Sequence, residues 1–329
     1  MKVSLVVTVL NEAKTIEAFL DSIEKQTLKP DEVVIVDGGS TDWTINKLIK
    51  PEMNLKVLVY AGSNRSQGRN RGIQMAKNEI IAVTDCGCIL DKNWFLEITM
   101  LYADEKVNAV AGYYLAKAET ALQKCVAPFF CITESEIKKL ARKKNFEFLP
   151  SSRSFAFKKS VWSKVGGYPE DLNYCEDLVF DQKIKLSGFN FYFASKAVVY
   201  WPQRKTFKSI YKQFFNYATG DGQAFFSPYQ THSLKISLIY FRYFLALDFL
   251  VLAFRHPVFG KILILGFLFY VFCSMVKHFN EVKEIRALYL LPLIRFLADF
   301  AIMAGTVKGI LRAIKLSKIS LFHVKENLS

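Results

Sequence analysis

The chain has 329 residues, 51% of them hydrophobic and 15% aromatic, and its 44 Lys+Arg against 30 Asp+Glu give a formal net charge of +14. So much apolar surface excludes a disordered or low-complexity chain, which could not offset its ordering entropy. The length exceeds one average domain, so a domain with an appendage is expected. From Trp201 onward there are 17 Lys+Arg against 6 Asp+Glu, whereas the first 200 residues hold 27 against 24, so the basic excess falls in the more apolar part. Basic and apolar together indicate a membrane face with anionic lipid, and long Leu/Ile/Phe runs argue against nucleic acid as the partner. Cys86, Cys88, Cys125, Cys131, Cys175 and Cys273 form neither a Cys-x-x-Cys nor a dense disulfide framework. Met1-Lys2-Val3 runs straight into a strand-like segment without a signal-peptide pattern, so the N-terminal part is expected in the cytoplasm.

Residues 1–115 alternate strand-like and helix-like runs. Val3–Val9 is a continuous β-branched run of the kind buried in a parallel sheet, and Ile16, Phe19, Leu20 and Ile23 then recur at helical spacing. Glu32–Val36 is the second strand, followed by a helix from near Thr41, and Leu55–Tyr60 and Ile80–Thr84 are the third and fourth, with a helix after Gly68 between them. Repeated β-α-β units predict a doubly wound α/β sheet whose ligands bind beyond the carboxyl ends of the strands.

Those ends carry the polar residues. They are Thr8-Val9-Leu10-Asn11-Glu12, Asp37-Gly38-Gly39-Ser40-Thr41-Asp42, the run from Gly62 through Arg65 and Arg69 to Asn70, and Asp85-Cys86-Gly87-Cys88. Singly, each reads as ordinary turn and cap chemistry, and Arg65 and Arg69 as solvated surface. Four in register on one edge outline a site for a polar, phosphorylated ligand, with helix N-termini and the two arginines facing the anion.

Further on, Glu119–Lys144 reads as a long charged helix containing Pro128, Phe148–Phe157 as a loop feeding a short strand, and Val165–Glu170 as a turn. Cys175-Glu176-Asp177-Leu178 opens a helix running to Leu186, with Asp181 on the face of Asp177. Acidic residues at a helix start are stabilised by the macrodipole, which is the plain explanation of that pair.

The ordered set Thr8-x-x-Asn11-Glu12, Asp37-Gly-Gly-Ser-Thr-Asp42, Gly68-Arg69-Asn70, Thr84-Asp85, Gly166-Gly167-Tyr168-Pro169-Glu170 and Glu176-Asp177 resembles the family 2 glycosyltransferases of GT-A fold over about residues 1–225. Tyr217-Ala218-Thr219-Gly220-Asp221-Gly222, after Trp201-Pro202, resembles their membrane-associated members. The resemblance implies a Rossmann-like, doubly wound mixed sheet and a generally inverting transfer from a UDP- or GDP-sugar. It implies that Thr8, Glu12, Asp37 and Asp42 surround the base and ribose, with Asn11, Gly38, Ser40 and Arg65 in the same donor-binding loops, and that Arg69 lies near the diphosphate. Asp85 corresponds to the first carboxylate of the Asp-x-Asp metal motif, for Mn²⁺ or Mg²⁺, and Asp177 to the catalytic base, with Glu176 as the fallback. Two departures stand out. The metal motif reads Asp85-Cys86-Gly87 without its second carboxylate, and Gln213-Phe214-Phe215-Asn216-Tyr217 lacks the Arg-Trp of the polymerising relatives' Gln-x-x-Arg-Trp, which argues against a processive synthase.

The types suit the chemistry. Charge growing on a leaving diphosphate needs a metal, an arginine or a helix dipole, and single displacement needs one base. A transferase onto polyprenyl phosphate, whose acceptor needs no base, and a non-catalytic membrane binder of sugar nucleotides are the alternative readings.

The expected domains are a glycosyltransferase domain over 1–230 and a membrane region over 231–329. Leu234–Phe254 and Val258–Val276 each approach the length that crosses a bilayer, separated by Arg255-His256-Pro257. Ala287–Val307 is a third apolar stretch, interfacial or spanning, in which Arg295 and Asp299 can pair. A hairpin of the first two would keep Lys277, Lys283, Arg286 and the tail Lys308–Lys318 with a cytoplasmic catalytic domain. A membrane-held enzyme of this kind implies a lipid-linked or cell-envelope glycan acceptor and membrane lipid as partners. His232, before the first span, reads as structural.

Overall fold

The structure, a computed structural model, describes residues 1–49, 53, 55–133, 136–137, 139, 148–225, 228–229 and 231–326, with 317–326 as backbone alone. The described chain falls into two compact units, Met1–Lys117 with Cys131–Pro202, and Ala118–Phe130 with Gln203–Ser329.

The first unit is built on one eight-stranded mixed sheet in the order β3-β2-β1-β4-β7-β6-β8-β5. Its strands are β1 Val3–Val9, β2 Glu32–Asp37, β3 Leu55–Val59, β4 Ile80–Asp85, β5 Ile89–Leu90, β6 Ala109–Lys117, β7 Phe155–Lys158 and β8 Phe191–Pro202. The first four are parallel, as their unbroken apolar runs predict, and β2 is buried along its length. Strand β7 enters antiparallel between β4 and β6, which makes the sheet mixed. The chain runs from β1 outward to β3 and returns on the other side of β1 with β4, so the crevice for a ligand opens between the ends of β1 and β4. There the register sets Thr8 opposite Asp85 and Val9 opposite Asp37.

Helix α1, Ile16–Glu24, buries the expected Ile16, Phe19, Leu20 and Ile23. The helix expected from Thr41 is a single turn, α2 Thr44–Lys47, because Asp42 folds the preceding residues by accepting from the Thr44 amide and hydroxyl. Helix α3 spans Arg65–Met75 and starts earlier than expected, so Arg65 and Arg69 lie on a helix and not in a loop. The cause is a capping box: the Asn64 side chain accepts from the Gln67 amide at 2.9 Å, and the Gln67 side chain accepts from the Asn64 amide at 3.0 Å. α4, Trp94–Thr99, continues in a 3-10 turn, Met100–Ala103. Of the long helix expected over Glu119–Lys144, α5 covers Ala121–Val126 and gives way to a 3-10 turn at Ala127–Phe129, since Pro128 cannot continue an α-helix. Residues 134, 135, 138 and 140–144 of that expected helix lie outside the described residues. α6 is Lys159–Lys164 and α7 is Glu176–Leu186.

The first unit's core gathers Val6, Val34, Val36, Ile73, Val83, Phe155, Phe157, Phe180 and Ile184. Helix α3 meets β1 and β2 through glycines. A Cβ on Gly68 would stand 2.9 Å from Thr8 Cγ2, and one on Gly72 2.5 Å from Val6 Cγ1 and 3.1 Å from Val36 Cγ2. This close approach seats the helix, and with it Arg69, at the carboxyl end of the sheet.

The second unit is helical. It holds α5 with α8 Phe207–Gln223, α9 Ser233–Ala253, α10 Pro257–Val282 and α11 Ala287–Glu326. The stretch Ala218–Gly222 forms a buried face of α8 that packs on α11, where Cβ atoms on Gly222, Gly305 and Gly309 would fall 2.4, 2.3 and 2.2 Å from backbone oxygens of the facing helix. Small residues allow that backbone contact, as at helix crossings in membranes. Three helices, over Ser233–Ala253, Pro257–Val282 and Ala287–Leu316, are long and apolar enough to cross a membrane. The first two match the expected spans within a few residues, and the third runs past its expected end. The expected Arg295–Asp299 pair forms at 3.6 Å, and Arg242, Tyr243 and Tyr270 also donate to the buried Asp299, so one carboxylate gathers polar side chains from α9, α10 and α11.

Replacing Gly72 by Val should destabilise the first unit by about 1–3 kcal/mol through overpacking against Val6 and Val36. Thermal unfolding of the detergent-purified chain reads this as a lowered midpoint, while Gly266→Ala, whose Cβ meets nothing within 4 Å, leaves the midpoint in place.

Candidate active site

The site begins with loops that hold their own shape. Asn11 adopts a left-handed φ of 55°, its amide donates to Ser40 Oγ at 2.8 Å and its side chain accepts from the Thr41 amide at 2.9 Å, so the first two loops are tied together. Asp37 is buried and accepts from the Gly39 and Ser40 amides at 2.9 and 2.8 Å. Asp42 accepts from the Ala13 amide at 3.1 Å, and the Thr44 hydroxyl chiefly holds its carboxyl below the usual range. Glu12 accepts from the Thr15 hydroxyl, and its amide donates to Thr44. Thr8, Gly38 and Ser40 lie at the same strand ends, and Arg65, on the first turn of α3, rests 5.4 Å from the centre of the Tyr174 ring. The four polar loops are thus brought to one edge of the sheet, with Asp37 and Asp42 spending their oxygens on loop amides and hydroxyls.

At the centre is Arg69, with 3% of its side chain exposed. Its Nη2 donates to Asp85 Oδ1 and its Nη1 to Glu176 Oε1, each at 2.7 Å, and its guanidinium lies 5.3 Å from the centre of the Tyr168 ring. Burial alone would raise the Asp85 carboxyl, but the guanidinium groups of Arg69, Arg153 and Arg65 outweigh it and hold it at about 2. Burial raises Glu176 above the usual range, against the pull of Arg69 and with a further push from Asp177.

A strap of loop delivers Glu176 and Asp177 to this point. Asn70 donates to the Tyr168 carbonyl and Glu170 Oε1, each at 2.9 Å, and accepts from Trp162 Nε1 and the Tyr168 amide, each also at 2.9 Å. Gly167, with φ +66°, must be glycine here, because a Cβ would lie 2.8 Å from Asn70 Oδ1 and from Trp162 Nε1. Asn64 and Ser66 donate to the Glu170 and Leu172 carbonyls at 2.6 and 3.3 Å. The loop therefore runs along α3 from Tyr168 to Leu172, and Cys175, in the left-handed region at φ 62°, turns it into α7.

Asp177 stands outside the Arg69 ion pair. Its Oδ2 accepts from Ser151 Oγ at 3.2 Å, and its Oδ1 from the Leu178 amide at 2.9 Å. One turn on, Asp181 is buried and neither oxygen has a hydrogen-bond partner among the described residues. Burial, with the charge of Asp177 adding, raises its carboxyl well above the usual range. Burial also pushes the Cys86 and Cys88 thiols up, which suits packing and not nucleophilic work.

Sequence reasoning missed Arg153 and Ser151. Arg153 Nη1 donates to Ser151 Oγ at 2.8 Å, its Nε lies 3.8 Å from Asp85 Oδ2, and its guanidinium lies 3.9 Å from the centre of the Trp201 ring. Hydrogen bonds and ion pairs thus form a circuit from Asp85 through Arg69 to Glu176 and, from its neighbour Asp177, through Ser151 and Arg153 back to Asp85. No periodicity marks such residues in a sequence, since β7 and its leading turn reach β4 only through non-local strand pairing.

Residues 4–162 match the family described as Glycosyl transferase family 2. Among curated proteins, the O-antigen chain rhamnosyltransferase RfbN of Salmonella typhimurium is 25% identical over 224 residues, covering 66% of this chain and 71% of that one. The poly-beta-1,6-N-acetyl-D-glucosamine synthase of Staphylococcus aureus is 26% identical over 247 residues, 70% of this chain and 58% of that one. Among solved structures, the mannosyltransferase PcManGT from Pyrobaculum calidifontis, in complex with GDP-Man and Mn²⁺, superposes with a TM-score of 0.62 at 20% identity, over 94% of this chain and 87% of that one. TarS of S. aureus superposes with a TM-score of 0.51 at 17% identity, over 93% and 55% of the two chains. Both structural likenesses concern the fold alone.

Removing the central guanidinium strands two carboxylates. Arg69→Met should cost about 3–5 kcal/mol, read as a lowered thermal midpoint, and the double variant Arg69→Met/Glu176→Gln should lie above the single Arg69→Met because one uncompensated charge is gone.

Proposed function

This chain being a family 2 glycosyltransferase of GT-A fold whose catalytic domain is followed by membrane helices, we propose that it transfers a sugar with inversion from a nucleotide-diphospho-sugar to a hydroxyl of a lipid-linked or cell-envelope glycan. The observation that carries this reading is the division of labour among three carboxylates: Arg69 binds Asp85 and Glu176, and Asp177 is left outside that pair, hydrogen-bonded to Ser151. A single displacement needs one base, and Asp177 is that base. The acceptor oxygen bonds to the anomeric carbon as its proton passes to Asp177. The bond from that carbon to the diphosphate breaks, and its electron pair leaves on the diphosphate. Glu176 is a positioning residue, since its role runs through Arg69.

The donor nucleoside lies among Thr8, Asn11, Glu12, Asp37, Gly38, Ser40 and Asp42, with Arg65 at the phosphate end. Asp37 and Asp42 act there by shaping backbone that meets the base and ribose. The mannosyltransferase's complex with GDP-Man and Mn²⁺ raises a divalent ion, Mn²⁺ or Mg²⁺, for this chain too. At Asp85 such an ion would find one protein carboxylate, because Gly87 stands where a second would be, and no group of three His, Cys, Asp or Glu able to hold a metal occurs among the described residues. Arg69 and Arg153 flank that carboxylate and repel a further cation. The residues present do not form a divalent site of their own, and the reaction above is derived without one.

Residues 1–230 carry the transfer chemistry in this reading and 231–329 the membrane attachment, with the catalytic domain on the cytoplasmic face. Support comes from the spans starting at Ser233 and from Lys283 and Arg286 between the second and third, with Lys277 near the end of the second, which the positive-inside bias keeps cytoplasmic. Attachment raises the local concentration of a lipid-borne acceptor.

Asp177→Asn should lower transfer of labelled sugar into lipid-extractable glycan by about 10²–10⁴-fold. The same variant should keep nucleoside-diphosphate affinity, measured by calorimetry, within about threefold of the parent, because a base contributes little to donor binding. Transfer that survives would instead point to a phosphate acceptor, which needs no base.

A further inference from the structure

We propose that a cleft along α3 is a second carbohydrate site, which holds a neutral stretch of oligosaccharide apart from the crevice between β1 and β4. The site is independent of the donor reading above and goes beyond it.

The cleft encloses about 700 Å³, a size ordinary for small-molecule sites, and Tyr60, Gln67, Arg71, Gln74, Trp162 and Glu170 line it. Neither Asp37, Asp42 nor Asp85 does, so it is not the crevice at the strand ends. Helical spacing explains the separation. On α3, Gly68 and Gly72 meet the sheet and Arg69 reaches Asp85 and Glu176, whereas Gln67, Arg71 and Gln74, four and then three residues apart, share a different face. Tyr60 follows β3 at the edge of the sheet. Its amide donates to the Asp37 carbonyl at 2.7 Å, which fixes the backbone, while 44% of the residue stays exposed. Trp162, on α6, is oriented by its Nε1 bond to Asn70 Oδ1 at 2.9 Å.

A pyranose ring presents C–H faces, which pack on aromatic rings, and hydroxyls, which both donate and accept. It therefore needs aromatic surface beside donors and acceptors of mixed kind. This lining supplies both. Gln67 Oε1 is taken by the Asn64 amide and Gln74 Oε1 by Arg71 Nη1 at 3.1 Å, which leaves the two Nε2 groups to donate. Arg71 is exposed and, among the described residues, hydrogen-bonded to Gln74 alone, so most of its fork of donors is available. Glu170 accepts from Asn70 through Oε1, which leaves Oε2 to accept from a hydroxyl. One arginine against one glutamate gives the lining no net charge, which suits a neutral chain of sugars and gives a phosphate or nucleotide little to bind. In a glycosyltransferase the neutral ligand at hand is the glycan itself. Held on the helix that carries Arg69, it would stay near the transfer site at a raised local concentration.

The test is saturation-transfer-difference NMR on the full chain in a sugar-free detergent, with cellohexaose, chitohexaose, maltohexaose, an α-1,6-mannohexaose and an α-1,3-rhamnohexaose added singly. Parent, Tyr60→Ala, Tyr60→Phe and Arg71→Ala are compared. The parent is expected to bind at least one hexasaccharide with a Kd of about 1 mM. Tyr60→Ala and Arg71→Ala are expected to weaken that binding by about threefold to tenfold, and Tyr60→Phe, which keeps the ring, to retain it. Both alanine variants change exposed side chains, so thermal midpoints should stay within a few degrees of the parent. If a variant is destabilised, a loss that persists well below its midpoint supports the proposal equally. A parent that binds none of the hexasaccharides overturns the proposal. Binding that is equally tight in both alanine variants overturns it too, because the glycan then lies elsewhere. Titration of UDP and GDP into the same chains separates this site from the donor reading. Diphosphate affinity kept within about threefold in the variants supports a separate cleft, and its loss together with glycan binding overturns one. A parent that binds hexasaccharide in the cleft but neither diphosphate sinks the UDP- or GDP-donor reading and leaves this site standing.

Discussion

One buried guanidinium organises the catalytic unit. Arg69 joins Asp85, 16 residues away in sequence, to Glu176, 107 residues away, so the end of a central strand and the start of a distant helix cannot separate without stranding charges in the interior. A buried ion pair of this kind adds little net stability over an apolar contact, but losing one partner is expensive, and that asymmetry gives it the character of a clamp. What it clamps is a distance. In the proposed reading, the point where the leaving group is anchored and the point where the acceptor proton is taken are thereby held in one frame, as displacement chemistry requires.

The supporting structure makes sense as the means of seating that arginine. Gly68 and Gly72 bring the α3 backbone onto β1 and β2, the Asn64–Gln67 capping box starts the helix early enough for Arg69 to lie in its body, and Asn70 holds the Gly166–Glu170 loop against it. Tyr168 joins this set from below, stacked on Phe180 at 4.0 Å between ring centres with its hydroxyl 3.0 Å from Ser152 Oγ. In the helical unit a second buried carboxylate, Asp299, plays a comparable part by drawing polar side chains from three apolar helices to one point. In hydrocarbon, such groups find one another because no water is there to receive them.

The central strands were legible in the sequence because residues buried on both faces are written as unbroken β-branched runs, and the three apolar helices because length and hydropathy suffice. Glu176-Asp177 and Gly68-Arg69-Asn70 were legible as a set, in chain order. What Arg69 pairs with was not: a residue read as facing a ligand donates to two carboxylates, and only the packing of α3 brings those to it. The start of α3 could have been found, since Asn64-x-x-Gln67 is a capping signal that the run of polar residues concealed. Arg153 could not. It lies in a serine-rich turn without periodicity, and its neighbours Asp85, Tyr114 and Trp201 reach it only through the antiparallel insertion of β7 between β4 and β6.

In the proposed reading one base, Asp177, stands outside the ion pair, so the proposed reaction is a single displacement, and stereochemistry reports on that directly. The decisive measurement is the anomeric configuration of the transferred sugar, read from the anomeric proton coupling in the NMR spectrum of product made from a donor of known anomer. The opposite configuration in the product is the predicted result. Retention would contradict the account, because it requires a covalent sugar intermediate or a same-face attack that this arrangement of Asp177, Arg69 and Asp85 does not provide.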